Sequence, residues 1–259
     1  MNLPRRSGPW LDLRLTKQTM DHLWNAISEE NKEDYSNQLA GNISKSELIE
    51  DKDNWFYETV LKKLAERLFY KNCNNYYEDY IEKEKPPPKF EMKTFWVNYM
   101  KQHEFNPLHL HNAGIGFSFV VFMKIPTHWK EQHALPISAN SIAPIASDFA
   151  FVWSEKNNEV CKNINFPMSS EDEGRVLFFP AHLQHMVYPF YECEEERITI
   201  SGNIMLKSSD KPEIQFSSDV YEDKEKIIEI LETSLKVTKQ ELEMMKKRGK
   251  AKKNKVIKN

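Results

Sequence analysis

The chain has 259 residues, of which 40% are hydrophobic, and a formal net charge of −3 at pH 7. A chain of this length can bury a substantial core as one large domain, or as one domain with extensions. Its longest apolar runs fall far short of the roughly 20 residues that a bilayer-spanning helix needs. The composition therefore excludes a helical membrane protein.

The amino terminus and the cysteines both predict an intracellular protein. Two arginines near the start are not followed by the apolar segment of about 7–15 residues that a secretory signal requires. Cys73, Cys161 and Cys193 lack the spacing typical of a disulfide framework or of a thiolate zinc site. We therefore expect reduced thiols and a cytoplasmic location.

Two helices are predicted in the amino-terminal third of the chain. Thr16 or Thr19 can cap the first, and Asp51 or Asp53 stands near the start of the second. Both carry apolar residues every three or four positions, which is typical of a helix that packs on a sheet. Residues 1–88 are thus expected to form a helical region that packs on the core.

Two segments of this region indicate breaks between elements. Leu39–Ser46 carries turn residues and is expected to form a loop. Pro86–Pro88 cannot continue a helix, because proline lacks the amide donor and restricts the residue before it. We interpret these prolines as the connection into a β-rich part of the same domain.

Residues 89–207 are expected to form a mainly β core with flanking helices. Five segments have the composition of strands: Lys93–Met100, Gly116–Ile125, Phe149–Ser154, Arg175–Phe179 and Arg197–Leu206. Short strands separated by clusters of proline, asparagine and aspartate are typical of a β-sandwich or jelly roll.

The carboxy-terminal part leaves this core. Residues 208–248 are expected to form a linker and an amphipathic helix, which can pack on the core or mediate homo-oligomerisation. Residues 246–259 contain eight lysines and arginines and no acid, so the end of the chain, 249–259, could contact nucleic acid or an acidic partner. A solvated, disordered tail is the commoner meaning of such a segment.

Three histidines indicate a metal site. His109 and His111 lie two residues apart, directly before an apolar strand, so in an extended backbone both side chains point to one side. His185 follows another short apolar strand and can supply a third imidazole. Such a set leaves coordination positions open, as in the non-haem iron oxygenases that use two histidines and a carboxylate. An isolated pair would more often be structural, but the third histidine favours a metal.

The last strand supplies a candidate anion site. Its polar residues alternate with apolar ones and are Arg197, Thr199, Ser201 and Asn203. A buried guanidinium without a partner would be costly, so an inward polar face demands a ligand. A hairpin between His185–Val187 and the strand of Arg197 would bring the two sites together. The separation suits a short dicarboxylate such as 2-oxoglutarate, whereas surface pairing of Arg197 with Glu194 or Glu195 is the plainer alternative.

Three ordered motifs, NPLHLH, LFFPAHLQHMVYPF and ERITISGNI, resemble the 2-oxoglutarate and Fe(II)-dependent oxygenase family. The resemblance covers roughly Trp96 to Ile204, extends to the LAGNI stretch, and is strongest to members from marine bacteria and phages. It implies a prolyl-4-hydroxylase-like double-stranded β-helix, related to cupins. It also implies that decarboxylation of 2-oxoglutarate by Fe(II) and O2 is coupled to hydroxylation or other oxidation of a substrate, in the host cytoplasm if the gene is of phage origin.

The resemblance also implies roles for particular residues. His109 would be the first iron ligand, His111 would replace the usual acid, and His185 would be the distal ligand. Arg197 would bind the C5 carboxylate of 2-oxoglutarate, with support from Thr199 or Ser201. Asn98 shares a strand face with Trp96 and is a further pocket candidate.

Several alternatives stay open at this point. In a second register, His111 would be the first ligand and Ala113 would stand where the acid belongs, leaving a position that a halide could fill. A cupin-like binding protein without turnover and a three-histidine dioxygenase that does not use 2-oxoglutarate are the rival functions, and Arg197 argues against the latter. The primary substrate, whether peptide, nucleic acid or small metabolite, is not indicated.

Overall fold

A computed structural model of the chain describes residues 8–30, 32–72, 89–111, 116–155 and 160–207. Its strands are β1 (Leu11–Arg14), β2 (Lys45–Leu48), β3 (Phe90–Met100), β4 (Asn106–His109), β5 (Gly116–Lys124), β6 (Phe149–Glu155), β7 (Val160–Phe166), β8 (Arg175–Pro180), β9 (Gln184–Val187) and β10 (Arg197–Leu206). Its longer helices are α1 (Lys17–Ile27) and α2 (Lys62–Asn72), and shorter ones span Trp129–Ala134 and Pro136–Ala139.

The strands form two antiparallel sheets. The larger sheet has the order β1-β8-β5-β10-β3-β2, and the smaller has the order β4-β9-β6-β7. Along the chain, β3, β5, β8 and β10 belong to the larger sheet, whereas β4, β6, β7 and β9 belong to the smaller. The chain therefore winds back and forth between two facing sheets, which confirms the predicted jelly roll, a double-stranded β-helix.

The predicted hairpin between the strands of His185 and Arg197 was wrong. β9 pairs with β4 and β6 in the smaller sheet, and β10 pairs with β3 and β5 in the larger one. The connection between β9 and β10 crosses from one sheet to the other. In the centre of the larger sheet, β10 finds hydrogen-bond partners along both of its edges, which a two-stranded hairpin would not provide.

Both amino-terminal helices begin at predicted positions. The Thr16 hydroxyl accepts a hydrogen bond from the backbone N–H of Thr19 at 3.2 Å, at the start of α1. The Asp51 carboxylate accepts from the backbone N–H groups of Phe56 and Tyr57, both at 2.8 Å. A π-helical turn, Tyr57–Leu61, then leads into α2. These side-chain caps satisfy donors that the first helical turn leaves unpaired.

The amino-terminal region is not only helical. β1 pairs with β8 and β2 pairs with β3, so the region supplies both edges of the larger sheet. β2 begins at Lys45, inside the segment Leu39–Ser46 that was predicted as a loop. Four-residue strands carry too short a pattern to be recognised without their partners.

The two faces of the larger sheet pack differently. On the outer face, the sheet packs against α1 and α2 through a large apolar cluster that includes Leu23, Leu61 and Leu68 from the helices, and Val97, Phe119, Val121, Ile200 and Ile204 from the strands. Between the sheets, a second cluster contains Phe122, Phe149, Phe151, Phe166 and Phe179. Aromatic side chains thus fill one part of the interior and leave the remainder as a cavity.

Several predictions fall outside the described residues: the connection at Pro86–Pro88, the helix within 208–248 and the basic tail 249–259. The boundaries 1–88, 89–207, 208–248 and 249–259 therefore stay predictions. Among the described residues, no helix combines the length and the apolar character that crossing a bilayer requires.

Candidate metal centre and binding cavity

The structure brings three distant histidines together. The ligand nitrogens of His109, His111 and His185 all lie within 4.8 Å of one another. The ring centroids are 4.2 Å apart for His109 and His185, 5.2 Å for His111 and His185, and 5.4 Å for His109 and His111. Three convergent imidazoles form a donor set suited to a divalent first-row metal.

Backbone pairing explains the convergence. His109 on β4 stands directly opposite His185 on β9 in the antiparallel register. His111 follows the end of β4, and its backbone N–H donates to the carbonyl of Ala181 at 2.9 Å. The sequence predicted an extended backbone through both histidines, whereas β4 ends at His109. The hydrogen bond to Ala181 keeps His111 beside it.

Hydrogen bonds set the tautomers of two of the imidazoles. Nδ1 of His109 lies 2.7 Å from the carbonyl oxygen of Pro107, and Nδ1 of His185 lies 2.9 Å from that of Leu183. A carbonyl oxygen can only accept, so each Nδ1 must carry the proton. The Nε2 atom of both rings then has a free lone pair, which is the form that ligates metals.

Burial keeps the imidazoles of His111 and His185 neutral. Burial, and next the neighbouring His109 and His111, lower the pKa of His185 to about 3. Burial, with a smaller contribution from His109, lowers the pKa of His111 to about 4. The ring of Phe179 lies 4.8 Å from that of His185 and contributes to this apolar environment. Neutral imidazoles at physiological pH can bind a metal without first losing a proton.

A cavity of about 460 Å³ lies beside the histidines. Every second residue of β10 lines it: Arg197, Thr199, Ser201, Asn203 and Met205. The intervening Ile198, Ile200 and Ile204 pack in the outer cluster under the helices. The predicted polar face of β10 thus points into the cavity rather than into solvent.

The cavity has a closed end and an open end. At the closed end, Arg197, Asn98 and Met100 are at most 5% exposed. At the open end, the side chain of Lys93 is 47% exposed and Leu110 is 45% exposed. Arg197 and Met100 stand opposite each other on β10 and β3, whereas Asn203 stands opposite Thr94, next to Lys93. The cavity therefore runs along β10, from its closed end at Arg197 to its open end near Asn203.

Arg197 is buried at the closed end with part of its hydrogen-bonding capacity unused. One terminal nitrogen donates to the Ser147 carbonyl at 3.0 Å and also contacts the Ser147 hydroxyl. The Nε and the other terminal nitrogen have no hydrogen-bond partner. Burial lowers the pKa of Arg197 to about 10, while the carboxylate of Asp148 acts in the opposite direction. The guanidinium is therefore charged at neutral pH and retains two unused donor atoms.

Ser147 is held in an unusual conformation next to Arg197. It is fully buried, and its φ of 72° lies in the left-handed region that residues other than glycine rarely adopt. This conformation lets its carbonyl and its hydroxyl contact the same guanidinium nitrogen. No local sequence pattern marks Ser147, because the contact joins segments 50 residues apart.

A chain of buried hydrogen bonds leads to Thr199 at the closed end. The Ser46 hydroxyl donates to Oδ1 of Asn98 at 2.8 Å. Nδ2 of Asn98 then donates to the Thr199 hydroxyl at 3.4 Å. Thr199 accepts in this pair, so its own proton is free to donate into the cavity.

A second chain of this kind lies nearer the open end. The Ser118 hydroxyl donates to Oδ1 of Asn203 at 2.8 Å, and Nδ2 of Asn203 donates to the Thr94 hydroxyl at 2.9 Å. All three residues line the cavity. Thr94 lies on the same strand face as Trp96 and Asn98, so the period of two along β3 could have identified it.

Other polar residues near the motifs lie away from the cavity lining. His182 is exposed, and Lys124 forms a salt bridge with Glu195 at 2.7 Å. Glu194 accepts a hydrogen bond from Gln102 at 2.6 Å. The alternative pairing of Arg197 with either glutamate on the surface is therefore absent from the described residues.

The amino-terminal region also contributes to the cavity wall, which the sequence did not predict. Tyr35, Gln38, Leu39, Ala40 and Ile43 all line the cavity. The ring of Tyr35 lies 5.6 Å from that of Trp96, and Trp96 lies 6.4 Å from His111. This segment has no regular periodicity from which a binding role could be inferred.

Solved structures of oxygenases resemble the chain over most of its length, at low sequence identity. A 2OG-Fe(II) oxygenase-family oxidoreductase from Burkholderia pseudomallei is 12% identical, with a TM-score of 0.45 over 76% of this chain and 85% of that chain. A Pseudomonas putida prolyl-4-hydroxylase is 11% identical, with a TM-score of 0.43 over 77% and 94%. A viral collagen prolyl hydroxylase from Paramecium bursaria Chlorella virus-1 is 13% identical, with a TM-score of 0.44 over 77% and 97%.

The comparison with family models rests on the sequence. No curated protein matches the chain. Residues 94–203 match the family model described as "Putative 2OG-Fe(II) oxygenase". This segment runs from Thr94 in β3 to Asn203 in β10, and it contains the three histidines and Arg197. The segment that contains the candidate site is therefore similar to the 2OG-Fe(II) oxygenase family.

Proposed function

We propose that His109, His111 and His185 hold Fe(II), and that the closed end of the cavity holds 2-oxoglutarate with its C5 carboxylate on Arg197. The observation that carries the proposal is the single cavity that the three converging imidazoles and the buried guanidinium share. An unused terminal guanidinium nitrogen can donate a charge-assisted hydrogen bond to a carboxylate. The remaining cavity residues would then surround the oxidised substrate.

The donor set fits ferrous iron. Imidazoles are suitable ligands for iron, and the two fixed tautomers leave Nε2 free on His109 and His185. The described cavity lining contains no aspartate or glutamate, and residues 112–115 are Asn, Ala, Gly and Ile. Compared with a site of two histidines and a carboxylate, this site is one unit more positive, which favours binding of a dianionic co-substrate.

The position of His109 supports the register in which His109 and His111 are both ligands. In the other register His109 would not contact the metal, yet its ring lies 4.2 Å from that of His185. Ala113, which would mark the vacant position, lies outside the described residues.

The residues at the closed end are arranged to bind one carboxylate. Arg197 supplies the charge, and Thr199 presents a hydroxyl proton because Asn98 occupies its acceptor side. Ser201 lines the cavity further along β10 and can contact the chain of the co-substrate. Phe122 and Phe149 line the same space with apolar surface.

Bound iron would supply O2 activation coupled to decarboxylation of 2-oxoglutarate to succinate and CO2, and we propose hydroxylation of the substrate as the outcome. The protein supplies three imidazole ligands, a guanidinium for the carboxylate and a cavity that is closed at one end. We also propose a cytoplasmic location, where thiols and ferrous iron stay reduced. Homo-oligomerisation and contact of the basic tail with nucleic acid remain predictions about residues 208–259.

An anaerobic titration with Fe(II) and 2-oxoglutarate tests the site. We expect the metal-to-ligand charge-transfer band of chelated 2-oxoglutarate in the wild type, and its loss in His185→Ala. His182→Ala is the matched control, because this exposed histidine lies three residues earlier. The proposal fails if the band is absent in the wild type or persists in His185→Ala.

Product analysis separates the proposal from its rivals. An oxygenase of this type forms succinate only when O2 and 2-oxoglutarate are both present. A cupin-like binding protein would bind the metal without forming succinate. A three-histidine dioxygenase would consume O2 with no need for 2-oxoglutarate, and would leave the unused donors of Arg197 unexplained.

A further inference from the structure

The open end of the cavity contains polar groups that the binding of iron and 2-oxoglutarate does not use. Asn203 and Arg197 are six residues apart on β10, a distance of about 20 Å at about 3.3 Å per residue. A five-carbon dicarboxylate bound to Arg197 does not extend to Asn203. The hydrogen-bonded group of Thr94, Asn203 and Ser118 is therefore left for another ligand.

The direction of each hydrogen bond defines what this group can offer. Asn203 donates to Thr94, so the Thr94 hydroxyl has a proton to donate into the cavity. Ser118 donates to Asn203, so the Ser118 oxygen has lone pairs that can accept. A ligand here meets one donor and one acceptor on the two strands that flank β10, since Thr94 on β3 and Ser118 on β5 both pair with Asn203 in the sheet register.

The charge around the group is close to neutral. The lysine at this end, Lys93, forms a salt bridge with Glu91 at 2.5 Å, and this contact lowers the pKa of Glu91. The described cavity lining contains no acidic residue that could pair with an ammonium group. Burying a charged ligand without a partner is costly, so an uncharged ligand is favoured.

We propose that Thr94, Ser118 and Asn203 form the primary-substrate subsite and bind an uncharged group that both donates and accepts a hydrogen bond, as amides and alcohols do. The proposal rests on the function proposed above, because that function places 2-oxoglutarate at the closed end. The exposed Lys93 and Leu110 mark the side from which such a substrate enters.

Four probes of nearly equal size test the preference: propionamide, 1-propanol, propionate and propylammonium. Their binding to the full-length chain is measured by ligand-observed NMR with Fe(II) and saturating 2-oxoglutarate under anaerobic conditions. Saturating 2-oxoglutarate prevents propionate from binding at Arg197. We expect the two neutral probes to bind about tenfold more tightly than the charged ones, as for one or two net hydrogen bonds.

Two near-isosteric variants locate the subsite. Thr94→Val removes the donor at the open end and should reduce the preference for neutral probes about tenfold. Thr59→Val makes the same change at an exposed threonine outside the cavity lining, and the preference should persist there. Equal binding of charged and neutral probes, or an intact preference in Thr94→Val, would overturn the inference.

Failure of the two proposals can be distinguished. If the charge-transfer band forms but the probes show no preference, only the subsite is wrong. If the band does not form, the proposed function is wrong. The same probes are then measured on Arg197→Leu without 2-oxoglutarate, where a neutral preference that Thr94→Val abolishes would still support the subsite and its absence would refute it.

Discussion

The two ends of the cavity use the same structural unit for different purposes. At each end an asparagine donates to a threonine on the neighbouring strand, from Asn98 to Thr199 and from Asn203 to Thr94. At the closed end the unit lies next to the buried Arg197, and at the open end next to a lysine that a glutamate neutralises. Similar hydrogen-bonded pairs can thus serve an anion at one end and a neutral ligand at the other, because the adjacent charge differs.

Removing the charge at the closed end should have the largest effect on the difference between the two ends. Arg197→Leu should weaken 2-oxoglutarate binding about 100-fold or more, as expected for the loss of a buried charge partner. Iron binding should be retained, because the imidazoles stay in place. Titration of the charge-transfer band with 2-oxoglutarate measures the change.

The pKa of about 10 for Arg197 sharpens this prediction. The guanidinium stays charged up to about pH 9, so the difference between wild type and Arg197→Leu should be the same at pH 7 and pH 8. Arg197→Lys keeps a charge but loses the planar fork and should bind with intermediate affinity. Wild-type affinity in Arg197→Leu would exclude Arg197 as the carboxylate site.

A second variant disturbs the backbone between the two ends. A Cβ on Gly202 would lie 2.6 Å from the Thr94 carbonyl oxygen and 2.7 Å from the ring of Phe119. We therefore expect Gly202→Ala to lower the free energy of unfolding by about 1–3 kcal/mol, which is typical of overpacking. Chemical denaturation should show a lower midpoint with an unchanged slope. An unchanged midpoint would contradict the tight contact of β10 with β3.

A third variant tests whether strand β2, from the amino-terminal region, supports the closed end of the cavity but not the open end. Ser46→Ala removes the donor to Asn98 and leaves a buried oxygen unpaired, so Thr199 is less firmly oriented. We expect the affinity for 2-oxoglutarate to fall about five- to tenfold, corresponding to about 1 kcal/mol.

Ser44→Ala is the matched control for this variant, since Ser44 is exposed two residues earlier. Asn98→Asp should not restore the affinity of Ser46→Ala, because a carboxylate cannot donate to Thr199 and would repel the co-substrate. Equal affinity for 2-oxoglutarate in Ser46→Ala and Ser44→Ala would contradict a role for the hydrogen-bond chain from Ser46 through Asn98 to Thr199.

The smallest expected effect is the coupling free energy between a variant at the open end and a variant at the closed end. Thr94 and Thr199 lie in separate hydrogen-bonded groups, about 13 Å apart along the strands at about 3.3 Å per residue. The changes in unfolding free energy of Thr94→Val and Thr199→Val should therefore add in the double variant within about 0.5 kcal/mol. Denaturation of the wild type, both single variants and the double variant gives this coupling energy. A coupling above about 1 kcal/mol would mean that the two ends act as one network.

The sequence alone determined the secondary-structure elements in which polar and apolar residues alternate regularly. Alternation along Arg197–Leu206 predicted both its extent as β10 and the face that carries the polar residues, because adjacent strand residues point to opposite sides. Capping residues predicted the starts of the helices for a similarly local reason. The spacing of His109 and His111 predicted that two imidazoles would meet.

Only the tertiary structure decided which distant segments meet. It placed β9 and β10 in opposite sheets instead of a hairpin, and it set Ser147 against Arg197 and Ser46 against Asn98. Strand partners and buried hydrogen bonds join residues far apart in the chain, and they form only when both sheets close on one core. Local patterns fix which face of a strand is polar, whereas the packing of the two sheets fixes what that face encloses.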